Sequence, residues 1–573
     1  MAELGVDFTK DDVIGYECKH AVYMPGIPRD HGAVPDDLIF VKEVVHLKDG
    51  RRLPTSRRLI NYERPFWVTK PGYRKHKEKK EWEELSKLDK YTTTQAGLER
   101  AIKRALHLHT PERGLRRLAR SPYLYGADIT PTALVKRHYQ DKWPTCRSEN
   151  SVAVLDIETD VVHGTDDPIL VAITFKNKAI MAATKQFAGD IPNYVEVMRE
   201  YFYKRLPDVA DSRKIELEVV LCEGPLEAIQ AAMAKAHEWQ PDFLAVWNIN
   251  FDIPRIIDTI KKYGGDVGDI FSDPSVPKQF RNVWYKEGPA TKVAASGREE
   301  PLHWVDRWHT LYAPASFYVV DQAAVFRKMR VAKGREPSYA LDYILQKHAK
   351  TQKLKCANAD HLSGLDWHIY MQQFEKLEYG VYNLYDCISC EILDEQPDVG
   401  DLRSSISVQI RHSDYDKFPS QPRRTVDEMH FVCLNLEEPH VIATTPDELR
   451  TEFDDMTVSV KNWIVTLPAH MVVDNGLQVL RGYELRSMIR AAVYDLDVSG
   501  AYPTGEDTLN CSRGTTIAEI IAIEGVPEDV KRAAGLNLTA GTINATEICV
   551  SVMGAPTFRQ LAEHYERTVA TVN

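Results

Sequence analysis

Val152-Ala153-Val154-Leu155-Asp156-Ile157-Glu158-Thr159 is the stretch on which the reading of this chain turns. Small and branched apolar residues lead into two carboxylates, a pattern that predicts a buried strand. Asp156 and Glu158 stand two apart, so both side chains leave one face of that strand. Like charges side by side in a core element repel each other and are costly to desolvate. A divalent cation removes both penalties. A strand end whose acids simply face water is the plainer alternative, and carboxylates further along the chain decide between the two.

The residues that follow extend a sheet. Ile169–Phe175 and Ala179–Ala183 read as the next two strands, and 215–221 as another short one. Pro225–Trp239 reads as a helix with Leu226, Ile229, Met233 and Ala236 on one stripe and a proline near its start. A buried strand, Phe243–Trp247, comes next, and this order predicts an α/β domain with an open mixed sheet. The strand runs into Asn248-Ile249-Asn250-Phe251-Asp252-Ile253-Pro254, which puts Asp252 where a strand gives way to a helix starting near Pro254. Ligands of open sheets gather at such strand ends. Asn248 and Asn250 either orient a substrate or serve as ordinary turn residues.

Residues 264–300, rich in Gly, Pro, Ser and charge, predict a long excursion with a hairpin. Ser338–Ile344 opens a further helix, and Tyr379–Leu393 has helical periodicity. Tyr382 and Asp386 are four apart in it, on one face and one turn from each other. That pair is either plain helix packing or a hydroxyl that positions water beside a metal-binding carboxylate. Asp156, Glu158, Asp252 and Asp386 then share one explanation: two metal ions about 4 Å apart, one activating water and one stabilising a leaving oxygen. Oxygen ligands without Cys/His sets favour Mg2+ or Mn2+ over zinc. The implied reaction is metal-assisted attack of water on a phosphodiester.

The rest of the chain bounds this reading. At 573 residues it holds roughly three or four domains. Its 43% hydrophobic and 27% charged content is that of a soluble globular protein. No apolar run approaches the ~18 residues of a membrane span, and no signal-peptide pattern opens it. Nine cysteines without a framework suit a reducing cytoplasm, and Cys387 and Cys390 read as thiols on one helix. The net charge of -11 argues against a wholesale nucleic-acid coat but leaves room for a nuclease or polymerase with separate basic surfaces. One candidate surface is Lys70, Arg74, Lys75 and Lys77 beside Trp67 and Tyr73, where phosphate attraction and base stacking coincide. Arg113, Arg116, Arg117 and Arg120 form a second; a solvated charged face is the alternative for both. A polar stretch at 143–150 marks a domain boundary, and the polar segment Arg411–Arg424 crosses between domains. Met471–Leu480 reads as a strand broken by a turn at Asp474-Asn475-Gly476. Ala491–Leu496 reads as a buried strand closed by Asp497, with small Ser499, Gly500 and Ala501 before Tyr502 and Pro503.

Taken together and in order, these segments resemble the family B DNA polymerases, most nearly those of T4-like bacteriophages. Leu155–Thr159, Asn250–Pro254 and Tyr382–Asp386 look like the three exonuclease motifs. Asp497–Pro503 looks like polymerase motif A, followed by Asn510, Ser512 and Thr515. The resemblance implies a multidomain α/β fold: an N-terminal domain over 1–147, a ribonuclease H-like 3'-5' exonuclease domain over 148–400, a linking segment over 401–480 that returns to the N-terminal domain, and the start of a palm over 481–573. It implies that Asp156, Glu158, Asp252 and Asp386 bind the editing metals and that Tyr382 orients water. It also implies that Asp497 binds the metals of nucleotide addition while Tyr502 packs on the incoming sugar. Gly500 and Ala501 depart from the commoner phage motif A.

Nothing in 504–573 resembles the lysine-bearing fingers helix or the Asp-Thr-Asp hairpin of the palm. The expectation is a polymerase divided between two chains, this one carrying the exonuclease and motif A. The partner chain would carry the fingers, remaining palm and thumb. Primer-template DNA, single-stranded 3' ends and a deoxynucleoside triphosphate are the expected ligands, in the cytoplasm of an infected bacterial host. A stand-alone 3'-5' exonuclease with a relic palm and a catalytically silent DNA-binding assembly subunit are the alternatives.

Overall fold

A computed structural model describes residues 9–27, 34–77, 79–109, 114–293 and 298–444, and the backbone of Val472–Val473 and Gly476–Leu477. Asp497, Tyr502 and the rest of the motif A segment lie outside the described residues. The described residues fall into two compact units. One takes those within Met1–Val68, Trp82–Leu115 and Leu124–Ile442, the other those within Thr69–Glu81, Arg116–Tyr123 and Ala443–Asn573.

In the first unit an antiparallel meander, β1 (Val13–Pro25), β2 (Asp37–Leu47) and β3 (Arg52–Ile60), opens the chain. The central sheet has six strands: β4 (Val152–Thr159), β5 (Pro168–Phe175), β6 (Lys178–Thr184), β7 (Glu216–Cys222), β8 (Phe243–Val246) and β9 (Tyr318–Asp321). Their spatial order is β7-β6-β5-β4-β8-β9. β5 runs antiparallel to both β4 and β6, whereas β8 lies parallel to β4 and β9 parallel to β8. The expected open mixed sheet is therefore present, with β4 at its centre. In its register Asp156 faces Ala172, Glu158 faces Leu170, and Ala245 of β8 faces Val154. The end of β8 thus emerges level with the two acids.

Both faces of the sheet are covered, as its near-continuous apolar strands require. Leu155, Ile157, Val171 and Ile173 pack under helices α1 (Pro225–Trp239) and α2 (Ile249–Lys262). Val154, Leu170, Ala172 and Met181 pack on the other side, under helix α4 (Lys376–Asp394), which follows the shorter α3 (Gly364–Phe374). Because side chains alternate along β4, Asp156 and Glu158 belong to the α4 side.

Three local expectations are corrected. α2 starts at Ile249 rather than near Pro254, so Asp252 sits in a helical first turn instead of a strand end. A tight bond from Phe251 N–H to the Asn248 carbonyl (2.9 Å) nucleates this turn ahead of the proline. Only four α-helical residues, Leu341–Ile344, form in the segment opened by Ser338, and a wider turn over Leu345–Ala349 ends it. The polar crossing after Arg411 gives way to a helix, Gln421–Leu434, whose proline falls at the N-terminal position that tolerates it. The hairpin within 264–300 is present as Thr291–Val293 against Glu299–Pro301, and Val472–Val473 pairs with Gly476–Leu477.

Trp67, expected beside a basic surface, is only 4% exposed and belongs to the core of the first unit. In the second unit Arg74 lies over the Tyr123 ring and donates to the Thr69 carbonyl, while Tyr73 is exposed. Among the described residues no helix is long and apolar enough to cross a membrane.

Candidate metal centre

Helix α4 crosses the face of β4 and β5 at close range. Gly380 on this helix packs against two methionines: a Cβ there would meet the terminal methyl of Met198 at 2.9 Å and the sulfur of Met181 on β6 at 3.2 Å. Tyr379 precedes Tyr382 and Asn383 by three and four residues, and these precede Asp386 by four and three, so all four border one side of the helix. That face meets the two acids of β4. One carboxylate oxygen each from Asp156, Glu158 and Asp386 lies within 4.8 Å of the others, and the last two side chains are buried.

Each acid has its own support. The Asn383 amide donates to Asp156 Oδ2 at 2.7 Å, and the Tyr379 hydroxyl donates to Glu158 Oε2. Asp386 Oδ2 pairs with Lys353 Nζ at 2.5 Å, and the same ammonium donates to the Tyr382 hydroxyl at 2.5 Å. Tyr382 also carries Lys353 over its ring at 4.6 Å. Asp386 Oδ1 is buried with no hydrogen-bond partner.

Asp252 is buried beside this triad but is not one of the three grouped oxygens. The charges of Asp156 and Glu158 act on it. Its helix is anchored by Asp321 at the end of β9, whose carboxylate accepts the Ile249 N–H at 3.2 Å and the Ala324 N–H at 2.7 Å. Asn248 makes no side-chain cap, and Asn250 Oδ1 accepts from the Tyr285 hydroxyl at 3.0 Å. Asn248 contributes to the turn through its backbone carbonyl.

The electrostatics follow from burial and crowding. Burial first, then the charge of Asp386, pushes the Asp156 carboxyl up to about 7, against Lys353 and Asn383. Burial and then Asp156 hold Glu158 well above the usual carboxylate range. Burial followed by Asp156 and Glu158 does the same to Asp252. Asp386 is raised by burial, with Lys353 opposing. Burial pulls the Lys353 ammonium down, but Asp386 and Tyr382 outweigh it and hold it well above the ordinary lysine range.

Three clustered carboxylates, a neighbouring fourth and an unpartnered buried carboxylate oxygen form an acceptor-rich, all-oxygen site. A divalent ion with hard oxygen preference fits these residues, since it satisfies several carboxylate acceptors at once. The buried Asp/Glu cluster is capable of coordinating such an ion. Cys387 and Cys390, on the same helix, are buried and free; Cys387 points its thiol at the Ala172 carbonyl at 3.6 Å.

Sequence reasoning missed Lys353, Tyr379 and Asn383. The last two sit seven and three residues before Asp386, so helical spacing carried a usable signal. Lys353 carried none, being one of three lysines in Lys350-Thr351-Gln352-Lys353-Leu354-Lys355. No protein-family model matches this chain, and no curated protein matches it.

Proposed function

We propose that this chain is a metal-dependent 3'-5' exodeoxyribonuclease that serves as the editing component of a DNA polymerase. The single observation that supports this most is the triad of Asp156, Glu158 and Asp386, facing one another across a strand and a helix with Tyr382 and Lys353 alongside. A second reading, a stand-alone exonuclease, rests on the same triad and differs only in the role of the chain beyond residue 480.

Asp156, Glu158 and Asp386 would hold Mg2+ or Mn2+, with Asp252 supporting them. When bound, the ions acidify water and offset charge on the scissile phosphate. Water attacks phosphorus at the last phosphodiester, the P–O3' bond breaks, and the shortened strand keeps its 3' oxygen as a hydroxyl. The released product is a nucleoside 5'-monophosphate. Tyr382, held between Lys353 and Asp386, orients the water through its hydroxyl. The Lys353 ammonium adds a fixed positive charge beside the phosphate as negative charge develops there. In the polymerase reading Asp497 and Tyr502 serve nucleotide addition, a second chain completes the palm, and the work is done in the cytoplasm of an infected bacterium.

The test is removal of 3'-terminal nucleotides from a labelled single strand by the purified chain with Mg2+. Release of nucleoside 5'-monophosphates that stops on chelation is expected. Absence of any divalent-dependent degradation would refute the nuclease reading.

A further inference from the structure

Glu158 and Asp156 are each held by a residue of the facing helix that is not itself an acid. These two contacts explain how like charges on one strand keep a fixed spacing. The Tyr379 hydroxyl has one proton and two lone pairs. Gln372 Nε2, which can only donate, approaches that oxygen at 3.3 Å, and His368 Nδ1 approaches it at 2.8 Å. Its own proton goes to Glu158 Oε2. The amide of Gln372 fills one lone pair of the hydroxyl, and His368 Nδ1 completes its contacts. Gln372 also donates to the Thr159 carbonyl at 2.7 Å, which ties the whole arrangement to the backbone of the strand bearing Glu158. One turn along α4, Asn383 donates to Asp156 Oδ2 at 2.7 Å. Asn383 is fully buried and Tyr379 fully covered, so neither has water as a substitute partner.

We infer that Tyr379 and Asn383 are positioning residues that orient Glu158 and Asp156 for divalent-cation binding, with Gln372 and His368 fixing Tyr379 in turn. The inference rests on the metal-site reading above and deepens it. Each contact engages one oxygen of a carboxylate that has two. Both come from the helix that also supplies Asp386, so the three ligand oxygens keep their spacing as one rigid set. Partners of metal-binding carboxylates commonly change affinity or activity by about 10–100-fold when removed. A purely structural hydroxyl on the same helix would not. Tyr385 provides that control: its hydroxyl meets Thr351 Oγ1 at 2.9 Å and touches none of the carboxylates.

The experiment titrates Mn2+ into the full chain by calorimetry without DNA, for wild type, Tyr379→Phe, Asn383→Ala and Tyr385→Phe. Circular dichroism establishes folding of each. Expected are affinities about 10-fold weaker for Tyr379→Phe and Asn383→Ala, and unchanged for Tyr385→Phe. In strand-removal assays the Mg2+ concentration giving half-maximal rate should rise in parallel, and saturating Mg2+ should restore most of kcat. Wild-type Mn2+ affinity in folded Tyr379→Phe and Asn383→Ala would overturn the inference and leave the nuclease reading standing. Weakened binding in a chain that degrades no DNA would uphold the inference and sink the nuclease reading. A wild type that binds no Mn2+ would overturn both.

Discussion

The two ends of the Asp386–Asp394 stretch of helix α4 both lie among buried acids, and they treat them differently. Near its C-terminus Glu391 accepts from the Thr174 hydroxyl, from Arg213 at 2.6 Å and from the Lys176 N–H at 3.3 Å. Asp394 takes the N–H groups of Leu402 and Arg403 at 2.8 and 2.9 Å. Two turns earlier Asp386 joins Asp156 and Glu158, and Lys353 is the one cation paired to that triad among the described residues. Burial raises a carboxyl at both ends: Glu391 and Asp156 each reach about 7. The neighbours separate them. At Glu391 the largest influence after burial is the cation Arg213, whereas at Asp156 it is another acid, Asp386. A buried acid matched to a cation and hydrogen bonds is structural glue. Buried acids matched mostly to each other repel, and a proton or a bound cation relieves that repulsion.

The sharpest way to break this contrast is to empty the unbalanced end. Asp156→Ala combined with Glu158→Ala should abolish metal-dependent strand removal and metal binding, with far-UV dichroism largely unchanged. The metal-free protein should gain about 0.5–2 kcal/mol of stability, since sites built for function are seldom optimal for folding. Denaturant titration in chelator measures this, and a clear loss of stability would mean the acids are structural after all.

The balanced end should respond the opposite way. Arg213→Ala leaves Glu391 without its cation, and because Glu391 can then take a proton the cost should be about 1.5–3 kcal/mol. Mn2+ affinity should not change. A shift in affinity would show that the two ends are coupled along the helix.

Lys353→Ala sharpens the contrast from within the site. Asp386 and Tyr382 lose their shared donor, and turnover should fall about 10–100-fold. Divalent affinity should fall less, or rise, because the ammonium repels an ion bound to the same carboxylate. Comparing kcat with the half-saturating Mg2+ concentration separates the two effects.

The smallest expected effect is in pH dependence. Asp156 has a folded-state value near 7, above its unfolded value of 3.8. Between those values the folded state binds more protons, so its contribution to stability is complete below the unfolded value and is lost as pH rises through about 7. Glu391, raised to about 7 as well, adds a slope of the same sign. Mg2+ competes with protons only at the triad. Melting temperature in chelator should therefore drift down as pH rises through 7, and the extra stability given by Mg2+ should grow over the same window. A magnesium effect independent of pH would place the ion elsewhere.

Much of the fold and part of the site were legible in the chain. β4 to β8 and α1 fall close to where alternation and helical stripes put them, because hydrophobic period is a local property that survives folding. The i, i+2 spacing of Asp156 and Glu158 and the i, i+4 spacing of Tyr382 and Asp386 determined which side chains share a face. The start of α2 was not legible: Pro254 suggested a boundary, but a turn nucleated at Asn248 and anchored by Asp321, distant in sequence, carried the helix through it. Tertiary structure alone decided that the face of β4 bearing the acids is the one α4 covers. It alone brought Lys353 to Asp386 and Tyr382, and left Asp252 beside the triad instead of in it. Those choices depend on sheet order, on the register of β8 against β4, and on which sheet face α4 crosses. They are relations between distant segments, set by packing in three dimensions, and no local pattern of residue types encodes them.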